Sequence, residues 1–382
     1  MDQITGVRKR LEFVVKVSKF CNLRCRYCYE LHDLGKRERM SLEDIERMSS
    51  TVAVHARLEG YELVHFIWHG GEPFLIKPAF YREIAAIQRS VFSGICKVRN
   101  TIQTNLTLLP EGFLDLVEEG FFEGVGVSFD PYGSDRVDVR GRRRDEDVIR
   151  NLQTLIDRAV PCGAITVLSR GTRDAAVSTF RVFDELRIPH RFLPYYMSAD
   201  DEQRASQALT FDEIRQAYTE IVDAWLDSKN ATTVDPIEEF LRYAIDYLRG
   251  DLNPVFDPHT DEFVFIVDVD GGLWGVNGAY DPEEKYGNIF VDSLAQALRS
   301  ARRSRLVEQI EARMARTCGV CPYHGFCPGK YVAHATAEER RLLDDHGCLV
   351  RETVSHILRR LRETGLDRKV AFGPRHDTAI GA

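Results

Sequence analysis

The sequence predicts an α/β protein in which six βα units build a parallel sheet curled into an open barrel, followed by a smaller cysteine-rich unit. Three observations carry this prediction. Short β-rich apolar runs alternate with helical stretches through the first half of the chain. A loop holding three closely spaced cysteines follows the first run, and four more cysteines gather near the C-terminus.

The apolar runs lie at 13–17, 64–68, 100–104, 125–129, 164–168 and 190–193, and helices fit at 41–56, 80–91, 111–118, 145–158 and 177–186. Such sheets place their chemistry at the strand C-terminal ends, so the residues directly after each strand are the ones to inspect. After residue 200 or so the pattern changes, with a boundary expected at 199–208. Two amphipathic helices follow, at 211–228 and 236–249, then β-like segments around 263–274 and a helix at 349–363. The expected division is a barrel at 1–200, a helical linker at 201–255, a cysteine-rich domain at 256–366 and a loose tail at 367–382.

With 382 residues, 44% hydrophobic and 29% charged, the chain reads as an ordinary globular protein, which excludes a mostly disordered or membrane-spanning one. No apolar run approaches the ~20 residues that cross a bilayer, and residues 1–10 are too polar to open a signal peptide. A cytoplasmic location is the default, with no membrane partner. In a reducing cytosol, nine cysteines point to metal sites before disulfides. A formal charge of -8 argues against a nucleic-acid partner. The basic run Arg140 to Arg144, with acids beside it, reads as a solvated loop.

Cys21-Asn-Leu-Arg-Cys25-Arg-Tyr-Cys28 follows the first strand, where one loop can fold three thiolates around an inorganic centre. Four thiolates close a site, whereas three leave one metal corner for an outside ligand. A structural zinc loop is the alternative, although such loops pair two CxxC halves, and a redox dithiol needs only two cysteines. The segment resembles the CxxxCxΦC motif of the radical S-adenosylmethionine (SAM) superfamily, with Tyr27 as its aromatic residue. That resemblance implies a 4Fe-4S cluster whose unique iron is chelated by SAM, a one-electron cleavage to a 5'-deoxyadenosyl radical, and an external electron donor of flavodoxin or ferredoxin type.

Further segments resemble the same superfamily. His69-Gly70-Gly71-Glu72-Pro73 is similar to its GGEP motif, whose backbone and Glu72 would meet the SAM amino group; the glycines permit backbone conformations or close approach that a side chain would block. Gln103-Thr104-Asn105 is similar to QTNG, with Leu106 in place of Gly; Asn105 is a SAM contact or a loop cap. Ser128 and Asp130 match an S-x-D segment, with Ser128 toward SAM and Asp130 toward SAM or substrate. Ser169 and Arg170 end the fifth strand as further SAM contacts. Cys96 and Cys162 read as structural thiols.

Cys318, Cys321, Cys327 and Cys348 are enough to close a metal centre, and on spacing alone zinc is the better assignment. The run CGVCPYHGFCPG resembles the SPASM domain of radical SAM proteins, which implies one auxiliary 4Fe-4S cluster on these four residues. Tyr331 stands where the family has a further cysteine, and 263–288 has none, so a second auxiliary cluster is not expected. Gly287-Asn288-Ile289 keeps the family's GN turn. The auxiliary centre would pass electrons or staple a small domain. Asp268 or Asp270 would serve as proton acceptor, the other reading being a hairpin turn.

The resemblance runs from Phe13 to Cys348 and implies a modified peptide or protein side chain, first of all in a ribosomal precursor peptide by crosslinking, cyclisation or epimerisation. Sulfatase maturation and oxidation or rearrangement of a small molecule such as an amino sugar are the other enzymatic readings. A zinc-stabilised scaffold or electron carrier is the non-enzymatic one. About a dozen residues precede the first strand. Leader recognition is therefore expected from the barrel, the cap or a separate leader-binding protein, with strand addition as one route.

Overall fold

Alternating apolar and polar residues start the sheet. Strand β1 (Arg10–Ser18) buries Leu11, Phe13, Val15 and Val17 completely, as period-2 side chains do when one face meets a core. In this computed structural model, which describes residues 9–195, 201–276, 278 and 281–372, β1 leads into α1 (Leu42–Glu59), β2 (Leu63–Gly70), α2 (Pro78–Val91), β3 (Lys97–Thr104), α3 (Phe113–Glu118), β4 (Gly124–Ser128), α4 (Asp145–Asp157), β5 (Cys162–Leu168), α5 (Ala176–Glu185) and β6 (His190–Pro194). Local chemistry sets the ends of α1: Ser41 and Asp44 form a capping box, and Gly60 takes the left-handed position after the last turn.

The chain continues with α6 (Asp201–Gln207), α7 (Phe211–Leu226), β7 (Val234–Asp235), α8 (Ile237–Arg249), β8 (Val264–Val267), β9 (Gly272–Gly275) and β10 (Lys285–Asn288). It ends with α9 (Leu294–Leu298), α10 (Ala301–Thr317), α11 (Lys330–Ala333), α12 (Ala337–His346), α13 (Leu349–Glu363) and α14 (Leu366–Phe372). One ten-stranded sheet runs in the order β10-β9-β8-β1-β2-β3-β4-β5-β6-β7. Strands β1 to β7 are parallel neighbours, so the ends of the first six open on one rim.

The division expected at residue 256 is not a break in this sheet. Strand β8 pairs in parallel with the free edge of β1, and β9 and β10 extend it antiparallel. Phe265, Val267 and Leu273 share the core of Phe13 and Phe66, with the Phe13 and Phe265 rings 5.6 Å apart. A four-residue apolar strand is stable only beside a partner, and an open edge in need of cover supplies one. A second core joins α5, α7, α8 and α13 through residues such as Phe180, Ile221, Phe240 and Ile357. A third, small one gathers Phe256, Met314, Val332 and Leu343.

The tail expected from residue 367 starts as helix. Helix α14 reaches Phe372, and its Val370 carbonyl accepts from Arg249 Nε at 3.2 Å; 373–382 lie outside the described residues. Cys96 and Cys162 pack, half-buried, against the first core. The basic run is tied to its acids, with Arg142 on Asp138 at 3.0 Å, Arg143 on Asp145 and Arg144 on Asp147. Among the described residues, no helix is long and apolar enough to cross a membrane.

Candidate active site

The loop after β1 is held by backbone bonds rather than by its own side chains. Cys21 N–H donates to Leu34 O at 3.0 Å and Cys28 N–H to Cys25 O at 3.0 Å. Arg24 N–H and Arg26 N–H reach Val137 O at 2.6 Å and Asp135 O at 3.0 Å on the loop that carries the basic run. From below, Asn105 Nδ2 donates to Asn22 Oδ1 at 2.9 Å, and Asn22 Nδ2 to Thr107 Oγ1 at 2.8 Å. So Asn105 holds the cysteine loop and also sits on the cavity wall beside it.

Gly70 and Gly71 are required by that same loop. A Cβ on Gly70 would lie 2.4 Å from Ser18 O, and one on Gly71 would lie 2.2 Å from Phe20 O. The close approach that excludes side chains is therefore made by the backbone leading into Cys21. Leu106, where the resemblance has glycine, holds φ at +52°, in the left-handed region.

Cys21, Cys25 and Cys28 all face one cavity of about 1050 Å³, together with the His69 to Gly71 turn, Gln103, Ser128 and Arg136. Burial pushes the Cys21 thiol up to about 12 and raises Cys25 and Cys28 as well. Protonated thiols are thus the resting form, and a bound cationic centre is what would convert them to thiolates.

Sequence reasoning missed Arg136. It is 7% exposed, donates from Nη1 to Tyr27 OH at 3.0 Å, and leaves Nη2 buried with no hydrogen-bond partner. Tyr27 donates in turn to Asp130, whose other oxygen accepts from Val167 N–H at 3.1 Å. Nothing in the spacing of Asp135-Arg136-Val137-Asp138 singles out this arginine. Three sulfurs around a cavity, with an unsatisfied buried guanidinium beside them, fit an iron–sulfur centre carrying an anionic ligand.

Several expected contacts stand behind the wall. The Glu72 carboxylate accepts from Asn105 N–H at 2.7 Å, Thr104 Oγ1 at 2.7 Å and Phe74 N–H at 2.8 Å. It is 1% exposed and joins the ends of β2 and β3; burial raises its pKa against those bonds. Pro73 opens a short turn beside it. Ser128 does line the cavity and accepts from Gln103 Nε2 at 2.8 Å. Ser169 is fully buried, and Arg170 reaches away to Ala208 O at 2.9 Å.

The two candidate proton acceptors differ. Asp268 is 5% exposed, forms an ion pair with Lys19 at 3.3 Å and has its pKa raised by burial. Asp270 is largely exposed and accepts from Gly272 N–H at 2.8 Å, as a hairpin-turn residue does. Neither lines the cavity.

The second cysteine group closes on itself. Cys318 follows the last turn of α10, Cys348 precedes the first turn of α13, and Cys321 and Cys327 come from the loop between α10 and α11. All four line a cavity of about 370 Å³ with Tyr323, Tyr331 and Arg351. Burial pushes Cys318 and Cys327 up to about 12 and raises Cys348. Among the described residues, no three His, Cys, Asp or Glu side chains meet closely enough to hold a single metal ion. Asn288 of the GN turn bonds Asp270 O at 2.7 Å and receives Phe290 N–H at 2.9 Å, fixing the β9–β10 connection.

Residues 15–182 match the family model for the radical SAM superfamily. The chain carries a radical SAM domain. Over more of its length it is similar to the serine-type anaerobic sulfatase-maturating enzyme of Klebsiella aerogenes, 24% identical over 323 residues, 83% of this chain and 78% of that protein. The cysteine-type enzyme of Clostridium perfringens (strain 13 / Type A) is 23% identical over 331 residues, covering 84% and 88%. Among solved structures, native anSMEcpe with bound AdoMet superposes with a TM-score of 0.70 at 18% identity, covering 94% of this chain and 99% of that one. Streptococcus suis SuiB bound to the precursor peptide SuiA gives 0.57 at 15% identity, covering 84% and 71%. The radical SAM fold is thus common to all of these chains, and the sheet of the radical SAM domain continues here into β8 to β10.

Proposed function

We propose that this radical SAM protein modifies a side chain of a peptide or protein, using one SAM-binding 4Fe-4S cluster and one auxiliary cluster. The observation that carries the reading is the convergence of Cys21, Cys25, Cys28 and the unpartnered Nη2 of Arg136 on one cavity. In both cysteine groups the sulfurs surround a space instead of meeting at a point, which suits a multi-atom centre over a lone zinc.

Cys21, Cys25 and Cys28 would hold the first cluster, and Cys318, Cys321, Cys327 and Cys348 the second. When bound, cluster and SAM supply a carbon-centred radical able to remove hydrogen from an unactivated carbon. The chain's own part is placement. The His69 to Gly71 backbone and Ser128 offer hydrogen bonds along the wall, Arg136 offers its charge to a carboxylate, and Tyr27 and Asp130 hold Arg136 in place. Glu72 keeps the ends of β2 and β3 together beneath them. Of the two aspartates, Asp268 is the stronger candidate proton acceptor, since it is buried and tied through Lys19 to the cysteine loop.

A peptide substrate is supported by the neighbours: anSMEcpe is solved with the Kp18Cys peptide and SuiB with its precursor peptide SuiA. Ribosomal peptide maturation in the cytoplasm, fed by a flavodoxin- or ferredoxin-type donor, is the reading we favour. The sulfatase-maturating relatives make oxidation of a Ser or Cys the second. The test is anaerobic purification with iron and sulfide analysis, then SAM cleavage under dithionite with peptides encoded beside this gene and with Ser- and Cys-containing sulfatase peptides. A mass loss of about two hydrogens fits crosslinking or oxidation, which a carbonyl reagent separates, and deuterium uptake at constant connectivity marks epimerisation. No iron and no SAM cleavage would overturn the reading.

A further inference from the structure

A polar cluster beneath the first cysteine loop has no task in that reading. Lys16 lies on the face of β1 opposite Phe13 and Val15, and is 1% exposed. A buried ammonium is costly unless its charge and its three N–H groups are met. Here they are met by three acceptors: the Tyr29 hydroxyl, Glu30 Oε2 at 3.1 Å and His69 Nδ1 at 3.3 Å. The ammonium also lies 4.8 Å from the Tyr29 ring centre.

These contacts join β1 to the two residues directly after Cys28 and to the residue that opens the Gly-Gly turn. His69 Nδ1 also accepts from Gly70 N–H at 2.7 Å, so the ring proton sits on Nε2. Burial and the neighbouring Lys16 lower the His69 pKa and keep the imidazole neutral. Burial works against the Lys16 ammonium, but Glu30 and Tyr29 more than offset it and its pKa is raised. Tyr29, Glu30 and His69 all line the cavity that the three cysteines face.

Replacing a buried ion pair by apolar residues is often neutral or stabilising, so stability does not explain why the chain keeps this one. Charge does. One electron added to a cluster held by thiolates raises the negative charge of the site, and cluster potentials follow net charge, hydrogen bonding and exposure. Resting on the assignment of a cluster to Cys21, Cys25 and Cys28, we propose that Lys16 is a positioning residue that fixes Glu30 beside Cys28 and offsets its carboxylate, raising the reduction potential of the SAM-binding cluster.

The experiment is an anaerobic redox titration of the reconstituted full chain, followed by electron paramagnetic resonance with SAM present and paired with iron analysis. Lys16→Met removes the charge at similar length. At a fixed potential the reduced fraction of the SAM-binding cluster should fall about tenfold, equivalent to about 59 mV for a one-electron couple. The double variant Lys16→Met/Glu30→Gln removes both charges and should recover most of that loss, as coupled neighbours do in a mutant cycle. An unchanged potential in Lys16→Met with full iron overturns the proposal. So does equal loss of iron in the single and double variants, which would mark a purely structural lysine. If the parent chain itself holds no iron, the cluster assignment fails instead.

Discussion

The two cysteine groups use the same side chain to opposite ends. The first hangs on a loop at the mouth of a parallel sheet, pinned by backbone bonds from 34, 135 and 137, and faces a cavity of about 1050 Å³ with polar walls. The second is set at the ends of two helices between two apolar cores, around a cavity of about 370 Å³. Three thiolates in a roomy polar site leave a corner for chemistry, and four in a tight apolar one close it. Number and surroundings, more than the cysteines themselves, separate a reactive centre from a supporting one.

The sharpest way to break this contrast is Cys25→Ala. SAM cleavage should vanish while about half of the iron, that of the second group, remains from a parent total of about eight; surviving cleavage would show that the first loop is not the reactive site. Gly71→Ala comes next, because its Cβ would lie 2.2 Å from Phe20 O. The displaced loop should lower the rate of SAM cleavage about 100-fold, a loss typical of misplacement by an ångström. A near-normal rate would mean that the loop can give way.

Arg136→Met should weaken SAM binding about 10- to 100-fold, the worth of one hydrogen bond to a charged group. Equilibrium dialysis with SAM measures it, and unchanged affinity would turn Arg136 into a partner of Tyr27 alone. Cys321→Ala should remove about half the iron and lower the melting temperature, with SAM cleavage surviving. Cleavage lost together with that iron would make the second site part of the reaction path. The smallest expected effect is that of Asp270→Asn, within about 0.5 kcal/mol in stability as for other exposed positions. Asp268→Asn should slow turnover with substrate by more than Asp270→Asn does; the reverse order would return the proton-acceptor role to the hairpin turn.

Much of the site was legible because its signals are local. A CxxxCxxC spacing, two adjacent glycines and a serine at a strand end are read directly from neighbouring letters, and all three reach the cavity. Arg136 and Lys16 were not legible. An arginine between two aspartates reads as surface, and a lysine inside an apolar strand reads as an irregularity. Only the contacts of Arg136 with Tyr27 and of Lys16 with Glu30, made across distant segments, reveal their place. Glu72 was legible as a motif residue but not as a carboxylate turned to Thr104 and Asn105.

The sequence by itself determined the six βα units, the helix ends set by Ser41, Asp44 and Gly60, and the two sets of cysteines, since strand period, caps and metal-ligand spacing act over a few residues. Only the tertiary structure decided that β8 to β10 extend the barrel sheet rather than stand apart, and which polar groups face the cavity. Strand pairing and burial depend on what the rest of the chain brings alongside, and that cannot be written in any one stretch of it.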